Sequence, residues 1–252
     1  MFTGIGLIAF CCIFGAGVAG LLLRRIIPEV QRTDTTQKTV QTMMNVVAIL
    51  AALVLGLLIA STKTNFDTRS KEIEEFSANL TLLDRELMRL GQEQKDVRAL
   101  LRDFTAQKIA RTWRTGVNPP PDTDDAQTVQ MLDDVEDRLR ALTPQVEIQR
   151  AARSSALQLV GELKRTSRLL AVQESGQTPR LFLVVVIFWL SILFISYTIF
   201  APLNATVIAT MIAGAFSVSI ALNLIFDMDR PFAGFIKVSS APMRQALEKM
   251  EP

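Results

Sequence analysis

Few side chains in this 252-residue sequence have the chemistry that catalysis or metal binding requires. There is no histidine, and the two cysteines, Cys11 and Cys12, are adjacent in an apolar stretch. Neighbouring positions on a helix point about 100° apart, so these thiols do not converge on one ligand. Ser–His or Cys–His catalysis, zinc binding and haem ligation therefore lack their residues. We predict that the chain has no cofactor and no metal site, and that it is not an enzyme.

The carboxylates nearest to forming a site stand close to the C-terminus. Asp227 and Asp229 lie two residues apart, and Arg230 follows directly. Two carboxylates can contribute to a cation site, but calcium takes about six to eight oxygen ligands. We therefore favour a structural role, in which Asp229 and Arg230 tie a helix end to a neighbouring segment, with ion contact as the alternative.

A different kind of site is indicated by Ile49, Leu53 and Leu57, which recur every four residues and therefore share one face of a helix. Polar residues follow them and would form a collar: Ser61, Thr62, Lys63, Thr64 and Asn65. Copied around a symmetry axis, the apolar side chains would form a narrow neck that gates ions by dewetting, with the collar as its hydrated vestibule. The same periodicity also fits a face that contacts lipid or another helix.

The element that carries these residues is one of four apolar stretches without Asp, Glu, Lys or Arg: Met1–Leu23, Thr39–Thr62, Leu181–Phe200 and Ala201–Phe226. Each has at least about 20 residues, which is the length that an α-helix needs to cross a hydrocarbon core of about 30 Å. A soluble helix would be interrupted by charges on its exposed face. The sequence therefore predicts an integral membrane protein with four transmembrane helices.

The rest of the chain predicts further helices. Asn65–Leu90 contains no Pro or Gly and carries an apolar stripe, so the second membrane helix should continue beyond the membrane to a length of about 45 residues. Three more helices are predicted, at about Glu93–Arg114, Asp124–Leu142 and Pro144–Glu174. No strand pattern with a period of two is present. The fold class is therefore all-α, with a helical extramembrane bundle.

These segments define four regions along the chain. Residues 1–62 hold transmembrane helices 1 and 2, and residues 63–180 form the helical extramembrane domain. Residues 181–226 form a transmembrane hairpin, because only a short linker joins its two spans. Residues 227–252 are predicted to form an interfacial segment, because Phe232 and Phe235 stand close to Lys237.

Basic residues near the membrane ends give two conflicting orientations. Four spans place both termini and the large domain on one side and the two short linkers on the other. Arg24 and Arg25 favour a cytoplasmic first linker, whereas the basic residues before the third span and after the fourth favour a cytoplasmic large domain. These are Lys164, Arg165, Arg168, Arg180, Arg230, Lys237 and Arg244. We follow the second group and predict a cytoplasmic large domain.

Two segments resemble known families. Leu224–Gly234 is similar to the Asp-Arg-Pro-Phe-x-Gly signature of a prokaryotic bestrophin-like membrane protein family of unknown function, and Phe200–Thr206 and Ser239–Pro242 accompany it. The stretch Leu53–Leu57, followed by Lys63-Thr64-Asn65-Phe66, resembles the second membrane helix of bestrophin channels over about 20 residues.

The resemblance implies a homo-oligomeric ion channel, pentameric in bestrophins, whose second helices line the neck. Ile49, Leu53 and Leu57 would take the neck positions, although bestrophin necks are often aromatic. No acidic run matches the bestrophin calcium clasp, so calcium gating is not carried over. The implied partners are the lipid bilayer, further copies of the chain and inorganic ions, in the bacterial inner membrane as a multi-pass protein.

Two other features of the sequence bear on its partners. The net charge of +2 is small and gives no nucleic-acid footprint. The spans contain no Asp, Glu, Lys, Arg or His, the residues that relay protons in coupled transporters, and this absence counts against proton-coupled transport. The alternative function is a membrane-anchored helical scaffold or sensor, in which the bundle binds a partner and no ion crosses the bilayer.

Overall fold

The computed structural model describes residues 4–28, 33–113, 123–173, 180–232 and 234–250, and these residues contain no β-strand. Its helices, in chain order, are α1 Gly4–Leu23, α2 Asp34–Leu90, α3 Lys95–Thr112, α4 Thr123–Ala141, α5 Glu147–Gln173, α6 Arg180–Phe200, α7 Ala205–Met228 and α8 Ala241–Lys249. A short 3-10 turn, Gln92–Gln94, lies between α2 and α3. The all-α prediction is confirmed.

The chain divides into two units, and the boundary between them falls within α2. The membrane unit comprises Met1–Asn65 and Thr178–Asp229, and the bundle unit comprises Phe66–Gln177 and Arg230–Pro252. Four helices are long and apolar enough to span a membrane, namely α1, α2, α6 and α7. This agrees with the four predicted spans. A helix is suited to cross a membrane because its backbone N–H and C=O groups bond to each other within the segment.

In the membrane unit, α1 packs against both α6 and α7. Gly17 and Gly20 make this close approach possible: a Cβ atom at Gly20 would lie 2.7 Å from the carbonyl oxygen of Ile195 on α6. Small residues allow such contact because the helix backbones can approach each other closely. The buried core of the unit is formed by Ala9, Ile13, Leu58, Leu183, Val186, Ala215, Leu222 and Ile225.

One hydrogen bond fixes how the linkers of the membrane unit are arranged. Nη1 of Arg24, just after α1, donates to the carbonyl oxygen of Ala201 in the α6–α7 turn at 2.5 Å. The first linker and this turn therefore lie at the same end of the membrane unit, as four alternating spans require. The side chain of Asn204 caps α7 by accepting a hydrogen bond from the backbone N–H of Val207 at 2.9 Å.

The bundle unit is built around the second half of α2. Its fully buried large side chains come from four helices: Phe76, Leu80, Leu83 and Leu87 from α2, Leu101 and Phe104 from α3, Leu132 and Leu139 from α4, and Leu163 from α5. The α2 members belong to the stripe that the sequence predicts, with its spacing of three and four residues. Burial of this stripe holds the extension of α2 in the bundle.

Several helix boundaries differ from the predicted ones. α2 has 57 residues and begins at Asp34, because the polar segment before the span contains no Pro or Gly and its threonines can bond back to the helix. Thr39 Oγ1, for example, donates to the carbonyl of Thr35 at 2.9 Å. The predicted start of the fourth extramembrane helix at Pro144 is wrong: α5 begins at Glu147, and Pro144 lies in the linker before it.

α8 was not predicted from the sequence. Its Met243 and Ala246, together with Met250 and Val238, are buried in the core of the bundle unit. The segment before it is held by Trp113, whose Nε1 donates to the carbonyl oxygen of Val238 at 2.7 Å. Trp113 also meets Phe232 edge to face, with ring centroids 5.6 Å apart. Phe235 is 85% exposed, and the interfacial role of this segment stays a prediction.

Candidate functional site: the exposed face of α2

The three predicted neck residues are the most exposed large apolar side chains in the membrane-spanning half of α2. Ile49 and Leu53 are each 69% exposed and Leu57 is 70% exposed. Of the four candidate spans, the one in α2 is the least covered by the chain itself. In its apolar 18-residue segment, 11% of the residues are buried, against 22% to 33% in the other three spans. A single copy of the chain therefore leaves this face of α2 open.

The opposite face of α2 packs into the membrane unit. Ala51 and Leu58 are buried, and Val54 and Leu55 pack against the same core. The open face is broader than the three predicted residues, because Met43, Val46 and Leu50 are also exposed. Exposure of this kind suits lipid as well as a shared pore, so the assignment of Ile49, Leu53 and Leu57 to a neck stays a prediction.

The predicted vestibule residues do not share one environment. Ser61, Lys63, Thr64 and Asn65 are exposed, whereas Thr62 is buried and only 2% exposed. Five consecutive helical positions cover more than a full turn, so they cannot all point to one side. Thr64 Oγ1 donates to the carbonyl oxygen of Ala60 at 2.9 Å, which satisfies its hydroxyl on the exposed side.

The acidic pair near the C-terminus lies at the end of α7. Asp227 is buried, and the backbone N–H of Asp229 donates to the carbonyl oxygen of Ile225 at 3.0 Å, closing the last turn. Asp229 and Arg230 each have an interaction partner in the structure. Within the described ranges, no group of three or more Asp, Glu, Cys or His side chains could hold a metal ion. The roles proposed for these three residues, structural or ion contact, stay predictions.

The main polar contacts of the bundle unit join neighbouring helices. Asp84 of α2, almost fully buried, accepts two hydrogen bonds from Arg98 of α3, at 2.7 Å from Nε and 3.2 Å from Nη2. The hydrogen bond to Asp84 raises the pKa of Arg98 further, against the effect of burial. Such a bidentate pair is directional, so it fixes α3 against α2. No sequence pattern predicts this pair, because its partners lie on different helices, fourteen residues apart.

The bundle unit also has a basic face on α5, whose charged residues entered the sequence prediction only through their effect on membrane orientation. An open depression of about 420 Å³ is lined by Gly161, Lys164, Arg165, Arg168 and Leu169. Their spacing of three, one, three and one residues puts them on one side of the helix. The helical spacing of these residues is visible in the sequence. The residues between them, Leu163, Ser167 and Leu170, lie on the opposite, buried side of α5.

The chain matches the Bestrophin-like domain family over residues 11–243, which is most of its length. It belongs to the bestrophin-like family. The predicted family is thereby confirmed, and with it the expectation of a membrane-embedded helical protein. No curated protein matches the chain.

Solved structures share this bestrophin-like fold at low sequence identity. A point variant of a bacterial bestrophin homologue from Klebsiella pneumoniae is 9% identical, with a TM-score of 0.64 over 97% of both chains. Another variant of a Klebsiella pneumoniae homologue is 10% identical, with a TM-score of 0.63 over 97% of both chains. A solved membrane protein is 10% identical, with a TM-score of 0.65 over 98% of both chains. Similarity at this level of identity shows the fold.

Proposed function

We propose that the chain is one subunit of a homo-oligomeric bestrophin-like ion channel whose neck is formed by α2. The observation that carries the proposal is the open apolar face of Ile49, Leu53 and Leu57 on a helix that packs its other side within its own chain. Family membership supports the same reading. By the resemblance to bestrophins, the expected assembly is a pentamer.

The chemistry of the face suits a hydrophobic gate. Aliphatic side chains offer ions no ligand to replace their hydration shell, so a narrow ring of them disfavours both water and ions. Ile49 and Leu57 are eight residues apart, which corresponds to about 12 Å of helix. Three stacked rings over this length would form a continuous dry barrier. The exposed Ser61, Thr64 and Asn65 would offer dipoles where an ion regains its hydration.

The assembly state and the ion flux of the full chain test the proposal together. Purified protein in mild detergent should have the mass of a ring, with five subunits expected, and should release trapped ions when reconstituted into liposomes. A monomeric mass would contradict the proposal, because one copy cannot enclose a pore. An oligomer without flux under any tested ion would favour the alternative, a membrane-anchored scaffold or sensor.

Two triple variants separate the neck from ordinary packing. I49A/L53A/L57A shortens the open face and should raise liposome flux severalfold, because a wider neck hydrates more readily. V54A/L55A/L58A removes a similar volume from the packed face and should lower thermal stability, by about 2 kcal/mol for the buried Leu58, without raising flux. Equal flux from both variants would count against a neck formed by the open face.

A further inference from the structure

The basic face of α5 combines charge, space and apolar surface. It consists of Lys164, Arg165 and Arg168, with Gly161 and Leu169 completing the open depression of about 420 Å³. Gly161 leaves room, because a Cβ atom there would meet nothing within 4 Å.

The positive charge of this face resides on its two arginines. Lys164 forms ion pairs with Asp133 and Glu136 of α4, so its charge is already balanced. Arg165 and Arg168 are exposed and one turn apart on the same side of α5. Planar guanidinium groups suit bidentate recognition of phosphate oxygens.

The position of the face in the sequence favours a membrane lipid as the molecule that would supply a phosphate group. Six residues separate the end of α5 at Gln173 from the start of the membrane helix α6 at Arg180. Basic clusters that adjoin a membrane helix are attracted to anionic lipid headgroups. Leu169 is 42% exposed beside the arginines and offers apolar contact that a free phosphate ion would not use. We propose that Arg165 and Arg168 bind the phosphate headgroup of an anionic membrane lipid on this face of α5.

This lipid site is independent of ion conduction. A chain that conducts no ions could still hold an anionic lipid here, and a conducting chain could lack the site. The measurement is therefore a binding experiment on the purified full-length protein in detergent. Phosphatidylglycerol is titrated, with phosphatidylcholine as the neutral comparison, and the rise of the melting temperature gives the apparent affinity, because a ligand that binds only the folded state stabilises it.

The decisive variant is R165Q/R168Q. Each basic residue near an anionic lipid surface contributes about 1 kcal/mol, so loss of two should weaken phosphatidylglycerol binding about thirtyfold. The control is K71Q/R138Q, which removes the same charge from exposed positions on α2 and α4 and should bind like the wild type. Equal weakening by both double variants would overturn the proposal, because it would show a response to net charge alone.

A second pair of variants keeps the test decisive if R165Q/R168Q folds poorly. G161E adds a negative charge inside the depression without removing an arginine, and open space accommodates it. G161Q adds a neutral side chain of similar size. G161E should weaken phosphatidylglycerol binding more than G161Q, and equal binding by the two would overturn the proposal. Stabilisation of the wild type by inorganic phosphate or glycerol phosphate at the same concentration would also overturn it, by identifying a soluble anion as the ligand.

Discussion

At the scale of the residue, Lys164 is a charged side chain that pairs with two carboxylates of a neighbouring helix. Its ion pairs to Asp133 and Glu136 join α5 to α4, and Arg140 also bonds Glu136 at 2.5 Å. The hydrogen bond from Lys164, followed by that from Arg140, lowers the pKa of Glu136. Burial acts to lower the pKa of Lys164, but its bonds to Asp133 and Glu136 outweigh this effect and raise it.

We predict that K164M lowers the stability of the chain by about 1 kcal/mol at neutral pH, because the pairs are only partly shielded from water. The contribution of Glu136, whose folded pKa is lowered, is present above its unfolded pKa of 4.5 and is lost as pH falls through the folded value. The contribution of Lys164, whose folded pKa is raised, is present below 10.5 and is lost as pH rises through the folded value. Thermal unfolding followed by circular dichroism measures the difference.

The gap in melting temperature between wild type and K164M should therefore be constant between these limits and should narrow outside them. K71M removes a lysine from an exposed position on α2 and should leave the melting temperature unchanged. A K164M gap that persists undiminished at pH 3 would show that the lysine acts through its alkyl packing rather than its charge.

Residue patterns in the sequence locate the candidate neck face but not its surroundings. The four-residue repeat of Ile49, Leu53 and Leu57 is enough to put them on one side of a helix, and the structure leaves that side open. The repeat carries no information about what covers the face. The repeat also does not show that Thr62, which was grouped with its polar neighbours, is buried in the structure, and the vestibule role of this group stays a prediction. Pairs between distant residues, such as Asp84 with Arg98, have no signature in one sequence.

At the scale of the element, the contacts of α1 with α6 and α7 depend on individual glycines to different degrees. A Cβ atom at Gly20 would meet the backbone of α6 at Ile195, which cannot move aside alone. A Cβ atom at Gly17 would lie 2.6 Å from Cε of Met211, the flexible end of a side chain that can turn away. Gly15 is exposed and its Cβ position is open.

We therefore predict that G20A destabilises the membrane unit, by about 1–3 kcal/mol as expected for overpacking. G17A should cost less, and G15A should be neutral or slightly stabilising, since alanine favours the helix more than glycine does. Thermal unfolding in one detergent ranks the three variants. An equal loss in all three would mean that the effect does not depend on the close contacts of α1 with α6 and α7.

Element positions follow from the sequence where a stripe or an apolar run is long. The stripe from Phe66 to Leu90 predicts the extension of α2, and the uncharged runs predict the four spans. The start of α2 at Asp34 was missed because a polar, threonine-rich segment has no hydrophobic period to reveal a helix. α8 was missed because its nine residues bury only a few side chains, and their partners on α3 are distant in the chain.

At the scale of the whole molecule, the membrane topology follows from the internal geometry of the membrane unit. The hydrogen bond from Arg24 to Ala201 puts the first linker and the α6–α7 turn at one end. Each span crosses the membrane once. The end of the α2 span, the start of α6 and the end of α7, which connect to the bundle sequence, must therefore lie at the opposite end of the membrane unit. The basic residues that flank α6 and α7 favour the cytoplasm for that second end.

We predict that the bundle is cytoplasmic and that the α6–α7 turn faces outward in the bacterial inner membrane. Single cysteines at two exposed positions test this, L203C in the turn and A78C on the extension of α2, in a C11S/C12S background that removes the exposed native thiols. A membrane-impermeant maleimide should label L203C once it has access to the outer face of the membrane. It should label A78C only after the membrane is permeabilised. The reverse labelling pattern would contradict the prediction and show the opposite orientation in the membrane. Arg24 and Arg25, rather than the basic residues around α6 and α7, would then determine that orientation.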